Sequence, residues 1–278
     1  MCLWSVGISG TKFVTMNAST DASTKAVINT ANFGLTGLRA LVTGGGSGIG
    51  RAIADAMINA GATVVVCDVN DSTKPNYVCD VSLTSDVEAM FVAIERDLGG
   101  LDILVNNVGV PGPTARVDEM DPDAYDECVR INLGGTFRCT HVAVPMLLKS
   151  KGSIINISTS AGIYGYPLRS PYVAAKWGII GLTKSWAMEL GEFGVRVNAI
   201  CPGSVSGPRM DGVIEREALA TGATASDIRT GYEKQVSLQT FVDASDIAAS
   251  AVFLSSPAAR FITGQVLPVD GNIETMRA

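Results

Sequence analysis

Histidine is nearly missing from this chain: there is one, His141, inside an apolar stretch of helical spacing. A single imidazole, read as a packed or solvent-facing residue, argues against Ser-His-Asp catalysis and against histidine-rich zinc sites, both of which need ring nitrogens aimed at a common point. No CxxC pair occurs among Cys2, Cys67, Cys79, Cys128, Cys139 and Cys201, and several of these lie in apolar runs. Such thiols behave as small buried hydrophobes and predict a reducing, cytoplasmic setting without disulfides, and no metal site. Excess basic charge is missing as well. With 21 Lys and Arg against 27 Asp and Glu, the net charge is −6, which leaves no basic footprint for nucleic acid. Apolar runs such as "VAVPML" fall far short of a membrane span, so a soluble protein with no membrane contact is expected.

What is present is a chain of 278 residues, 47% apolar and 17% charged, too apolar for disorder and long enough for one large α/β domain or two small ones. Residues 1–37 are rich in Ser, Thr, Asn and Ala and show no clear period. They lack the cationic start and apolar core of a signal peptide and, with only Lys12 and Lys25 before Arg39, the arginines of a mitochondrial presequence. They are read as a loosely ordered extension, with Met16 a second candidate start. From residue 38 to 278 one domain is expected. "LRALVT", "TVVVCD", "NYVCD", "LDILVNN", "SIINIS", "VRVNAICPG" and "GQVLPVDG" are short, β-branched runs bounded by Gly, Asp, Asn or Pro, with helical segments between most of them. Strands apolar on both faces belong in a covered parallel sheet, so the pattern predicts an α/β, Rossmann-type doubly wound fold with seven parallel strands. One long insertion, 204–240, interrupts the last two.

"LVTGGGSGIGRAIADAMINAGATVVVCD" follows the first strand directly. Gly44, Gly48 and Gly50, with Ser47 and Ile49 among them, read as a loop that lets backbone approach a pyrophosphate before a helix N-terminus. A glycine cluster alone also makes an ordinary turn. Here the next strand ends in Asp68, whose carboxylate can accept both ribose hydroxyls of an adenosine and repel a 2′-phosphate, which predicts NAD rather than NADP. A turn or cap aspartate is the plainer alternative. Asp80 and Val81 end the third strand, positioned for an adenine amino group and ring. Asn106, Asn107 and Gly109 end the fourth. All of these fall on the carboxyl-end rim where such sheets bind ligands.

"SPYVAAKWGIIGLTKS" sets Tyr172 and Lys176 one helical turn apart. An isolated YxxxK is usually just a helix face. In this chain it comes after TGGGSGIG, Asp68, NNVG, Asn132 and the serine-rich strand end "NISTSAG", and before "CPG". In that order these elements resemble the classical short-chain dehydrogenase/reductase family from about Leu38 to Asn272. The resemblance implies hydride transfer between a secondary alcohol, or its ketone, and NAD. Tyr172 would be the acid/base, and its phenol, normally near a pKa of about 10, would need the Lys176 ammonium to favour phenolate. It also implies that Lys176 holds the nicotinamide ribose, that Asn132 anchors a relay water, and that Pro202, Gly203 and Val205 line the nicotinamide. A strand-end hydroxyl would orient the substrate oxygen. The family's serine, thirteen residues before the tyrosine, falls here on Thr159, which carries the same hydroxyl; Ser158 and Ser160 flank it as alternatives. Val108 and Gly207 are lesser departures, standing where the family commonly has alanine and threonine.

The insertion resembles the family's mobile substrate lid. Arg209, Tyr166 and Arg169 are candidates to meet an anionic or polar substrate, or to anchor surface and lid. The helix "YVAAKWGIIGLTKSWAMEL" is apolar around nearly its whole circumference, which suits burial by both sheet and partner subunit and, by the resemblance, a homotetramer. Two alternatives are an NADPH-dependent 3-oxoacyl-carrier-protein reductase, opposed by Asp68, and a non-catalytic nucleotide-sensing protein, opposed by the intact Asn132, Tyr172 and Lys176.

Overall fold

A computed structural model describes residues 33–273. Most of the expected N-terminal extension, and Cys2 with it, lies outside the described residues. Seven strands form one parallel sheet: β1 (Arg39–Thr43), β2 (Thr63–Asp68), β3 (Tyr77–Val78), β4 (Ile103–Asn106), β5 (Ser153–Ile157), β6 (Arg196–Pro202) and β7 (Val266–Val269), in the order β3-β2-β1-β4-β5-β6-β7. The doubly wound sheet expected from the strand pattern is therefore present, although β3 is shorter than its apolar run.

Consecutive strand residues point to opposite faces, and the apolar pairs divide accordingly. Leu41, Leu104 and Ile154 enter one core, under α2 (Thr84–Leu98), α4 (Gly135–Ser150) and α5 (Ser170–Gly191). Val42, Val105 and Ile155 enter the other, under α1 (Gly48–Asn59) and α8 (Ala244–Ser255). This is why the central strands read as continuous apolar runs rather than alternating ones. Leu35, fully buried, belongs to the second core, and its amide donates to the Ala60 carbonyl at 2.8 Å.

At the amino-terminal edge of the sheet, Arg39 closes β1 onto the start of β4. Its Nε and Nη2 donate to Asp102 Oδ2 and Oδ1 at 2.7 and 3.1 Å, and its own amide adds a bond of 2.8 Å. Burial pushes the Asp102 carboxyl up, but these bonds and the guanidinium charge outweigh it and hold the group below its usual value.

The chain winds outward from β1 to β3, then returns to β4 on the other side of β1. That reversal opens a crevice between the carboxyl ends of β1 and β4. Between β4 and β5, α3 (Pro122–Val129) runs through a π-helical turn (Arg130–Gly134) into α4. The insertion after β6 folds into α6 (Pro208–Thr221) and α7 (Ala225–Lys234). Among the described residues, no helix is long and apolar enough to cross a membrane.

Candidate active site

The crevice begins with a clasp between β1 and β4. Thr43 Oγ1 accepts from the Asn107 and Val108 amides at 3.0 and 3.3 Å. Asn107 Nδ2 returns bonds of 3.0 and 3.1 Å to the carbonyls of Thr43 and Gly44. Gly44 takes the left-handed φ of +62° that lets the loop turn off the strand. At Gly50 the requirement is space: a Cβ would stand 2.2 Å from the Gly44 carbonyl oxygen and 2.5 Å from Asn107 Nδ2. Ser47 caps α1 in extended conformation without a side-chain bond, so its hydroxyl leaves the first-turn amides uncovered, while Ile49 packs into the α1–α8 core. Free amides at the positive end of a helix fit a pyrophosphate.

Asp68 ends β2 beside this loop. Its Oδ2 accepts the Gly46 amide at 3.1 Å and its Oδ1 the Asn70 amide at 3.0 Å. A carboxylate offers about four lone-pair sites, so two remain for ribose hydroxyls. Asp80 accepts the Ser82 amide at 2.9 Å. Burial raises its carboxyl, but the Ser82 amide bond and the charges of Arg130 and Arg138 bring it below the ordinary range. Val81 is buried against Gly135, where a Cβ would meet its side chain at 2.6 Å. These residues fit a dinucleotide on geometry as well as on type.

At the chemical end, Pro171 lies in the first turn of α5, and Tyr172 and Lys176 follow on one face. Lys176 is 3% exposed; its Nζ donates to the Ile157 carbonyl at 2.9 Å and lies 5.8 Å from the Tyr172 ring centroid. Burial, and next the nearby Arg209 charge, push its ammonium down to about 8. Asn132 sits in the π-helical turn, a local winding that changes the direction of side chains and is common at functional sites. Its Nδ2 donates to the Cys128 and Val110 carbonyls at 2.8 and 3.1 Å, while its buried Oδ1 has no partner. Gly109 leaves the gap between them: a Cβ there would be 2.8 Å from Asn132 Oδ1 and 3.2 Å from Lys176 Nζ.

The three hydroxyls after β5 have different surroundings. Ser158 Oγ is buried and donates to the Lys176 carbonyl at 2.9 Å. Ser160 Oγ, also buried, bonds Asp270 Oδ2 at 3.0 Å and the Pro202 carbonyl at 3.2 Å. Thr159 is half-buried, and both its contacts, to the Pro202 carbonyl and from the Ala161 amide, are long at 3.4 Å. The Gly203 amide donates to the Val269 carbonyl at 3.0 Å, and Val205 bridges to Val242. Among the described residues, no cluster of His, Cys, Asp or Glu is built to hold a metal ion. The five described cysteines are buried and unpaired.

Two features were not read from sequence. One is the Thr43 clasp, whose only trace is a threonine ending an apolar strand. The other is a buried polar chain: Asn106 Nδ2 donates to Thr140 Oγ1 and Asn156 Oδ1, and Asn156 Nδ2 to Thr183 Oγ1, all at 2.9 Å. It ties β4, β5, α4 and α5 together just below the site. Asparagines within the runs "ILVN" and "SIINI" are the signal that could have revealed it.

A family model described as Enoyl-(Acyl carrier protein) reductase matches residues 44–272. The chain is 37% identical over 254 residues to D-beta-hydroxybutyrate dehydrogenase of Cupriavidus necator, covering 85% of this chain and 98% of that one. It is 31% identical over 254 residues to the 3-oxoacyl-[acyl-carrier-protein] reductase of Thermotoga maritima, covering 86% and 98%. The crystal structure of NAD+-bound xylitol dehydrogenase superposes with a TM-score of 0.80 at 28% identity, covering 85% of this chain and 99% of that one. Fold, motif order and relatives agree that the chain belongs to the classical short-chain dehydrogenase/reductase family and is an oxidoreductase acting on CH–OH groups.

Proposed function

We propose that the protein is an NAD(H)-dependent dehydrogenase that interconverts a secondary alcohol and its ketone, with Tyr172 as the acid/base. The observation that carries this is the pairing of Tyr172 with a buried, cationic Lys176 next to the unpartnered Asn132 Oδ1. The glycine loop, Asp68, Asp80, Val81 and the Asn107–Gly109 segment would hold the adenosine and pyrophosphate, and Pro202, Gly203, Val205 and Lys176 the nicotinamide end. When bound, the nicotinamide supplies the hydride acceptor for oxidation and the hydride donor for reduction. The chain's own residues handle the proton. Tyr172 takes the alcohol proton as the carbinol C–H bond breaks, and the Lys176 ammonium beside it stabilises the negative charge that develops. In reduction the phenol returns that proton to the carbonyl oxygen. Asn132 Oδ1 and Lys176 Nζ flank the gap at Gly109, a place where a water would connect the ammonium to solvent.

Thr159 supplies the orienting hydroxyl in this scheme. Its contacts are long and it is half-buried, whereas Ser158 and Ser160 are already committed inside the protein. NAD is favoured over NADP because the Asp68 carboxylate faces the loop where a 2′-phosphate would lie, although the Thermotoga reductase is also a relative. Helices α6 and α7 act as the substrate lid. For assembly, α4 and α5 present Phe137 and Trp177, each 50% exposed, and Met188, 84% exposed. Such a face suits a helical subunit contact within a homotetramer.

The decisive experiment replaces Tyr172 with Phe. Turnover of secondary alcohols should fall by at least about 10³-fold, within the range general acid–base catalysis contributes, while NADH binding by fluorescence stays within a factor of a few. Retained turnover would refute the assignment.

A further inference from the structure

Six arginines of the described chain, Arg39, Arg51, Arg96, Arg116, Arg130 and Arg229, each have a carboxylate partner. Six others, Arg138, Arg169, Arg196, Arg209, Arg216 and Arg260, have none in ion-pair contact, and two of these, Arg169 and Arg209, lie around Tyr172. Among the described residues, no carboxylate lies in ion-pair contact with Lys176, Arg169 or Arg209. Arg209 Nη1 donates only to the Gly109 carbonyl, at 3.3 Å, and its charge is felt at Lys176. Arg169 lies closer to the phenol. Its guanidinium carbon is 5.3 Å from the Tyr172 ring centroid and 5.9 Å from that of Tyr166. One bond, from Nη2 to the Pro111 carbonyl at 2.6 Å, fixes its orientation, and its buried Nε has no partner. A guanidinium has five N–H donors in a planar fork that matches a carboxylate. Most of these donors stay unused at Arg169, one of them shut away from water.

The surrounding structure keeps this charge in place. Tyr166, on the loop before α5, donates to Tyr232 Oη on α7 at 2.8 Å, and Tyr232 donates to Glu217 Oε2 on α6 at 2.7 Å. Burial, then Tyr166 and Glu217, push the Tyr232 phenol well above its ordinary value, so it remains a neutral donor in that chain. The one carboxylate in the network is thus engaged by a tyrosine and not by either arginine. Concentrated, unneutralised positive charge beside a reacting centre is a cost to the free protein that an anionic ligand removes.

We infer that Arg169 is a specificity-determining residue that grips a carboxylate on the substrate, so that the physiological alcohol is a short hydroxy acid and its product the corresponding oxo acid. Arg209, on the lid helix α6, adds long-range attraction. The inference rests on the proposed alcohol dehydrogenase activity and narrows its substrate class. The carbinol loses its C–H as hydride to the nicotinamide and its O–H proton to Tyr172, while the carboxylate stays ionised and unchanged.

The test compares lactate, 2-hydroxybutyrate, 3-hydroxybutyrate and malate with their methyl esters and with glycerol 3-phosphate, reading NADH formation. The wild-type enzyme should favour the best acid over its ester by about 100-fold in kcat/KM, in keeping with the loss of hydrogen bonds to a charged group. Arg169→Gln should collapse that acid-to-ester ratio toward unity, Arg169→Lys should restore part of it, and Lys151→Gln, far from the site, should leave it unchanged. Calorimetric titration of malonate into the protein provides a readout independent of turnover, with binding present in the wild type and lost in Arg169→Gln. Preference for esters or for the phosphate, or an acid-to-ester ratio unmoved by Arg169→Gln, would overturn the carboxylate assignment while leaving the dehydrogenase reading intact. If simple secondary alcohols, acids and esters are all inert, that underlying reading falls too.

Discussion

The nucleotide end and the chemical end of this crevice are built from different materials. At the nucleotide end the chain shapes space with main chain. Glycines bring carbonyls and amides close, the Thr43–Asn107 clasp satisfies them, and the position of Gly50 is defined by a carbonyl that would clash with any Cβ. At the chemical end, side chains from the π-helical turn, the segment after β5 and α5 converge, and Asn132 Oδ1 and Arg169 Nε are left without partners. The first region is shaped by main chain packed around its glycines, and its substitutions should act through shape. The second is held short of satisfaction, so its substitutions should act through chemistry and charge.

The strongest way to break that comparison is Gly50→Val. A side chain there displaces the Gly44 carbonyl, so dinucleotide affinity should fall by more than about 10³-fold, with an overpacking cost of about 1–3 kcal/mol to the fold. Cofactor titration together with chemical denaturation separates the two effects; near-normal affinity would mean that the loop is not a shape-defined site. Next in size is Thr159→Ala, for which kcat should drop about 10²- to 10³-fold, as for loss of one donor to a reacting oxygen. Ser158→Ala should instead lower the melting temperature and leave kcat nearly intact. The reverse outcome would transfer the role to Ser158.

Lys176 offers a pH test of the unsatisfied end. Its folded-state value of about 8 is below the ordinary 10.5, so burying the ammonium costs stability at every pH below about 8. Between about 8 and 10.5 the unfolded chain holds a proton that the folded one has released, so that cost is relieved as pH rises, by about 3 kcal/mol across the window. Denaturation of the cofactor-free protein against Lys176→Met, which has no charge to lose, should show this increment in the wild type alone. A flat difference would mean the lysine is not desolvated. Smallest is Asp68→Ala, expected to erode the NAD-to-NADP preference in kcat/KM by about tenfold, the effect of removing one like-charge contact of roughly 1.4 kcal/mol. An unchanged ratio would remove the ribose assignment.

Much of this was legible in the chain itself, and the parts that were not have a common cause. Strand positions follow from β-branched runs with turn residues at their ends, and the glycine spacing and the Tyr172–Lys176 turn are local patterns that survive in one dimension. Thr43 and Asn156 carry little signal in an apolar context, and Asn106, expected on the ligand rim, turns inward to Thr140 instead, because their meaning depends on partners 64, 27 and 34 residues away. The same holds for the three hydroxyls after β5. As a string, "STS" cannot rank them. In the fold, Ser158 faces the α5 backbone, Ser160 faces Asp270, and only Thr159 is left loosely held.

Sequence alone determined the seven-stranded doubly wound sheet, since hydrophobic periodicity and glycine placement are short-range properties that each segment carries with it. Only the tertiary structure decided which charges go unpaired. Arg39 and Arg169 look alike in one dimension, yet folding sets Asp102 against the first and two aromatic rings against the second. An ion pair exists only where the fold brings two distant side chains within reach. Arg169, without that partner, is left with an unneutralised charge beside Tyr172.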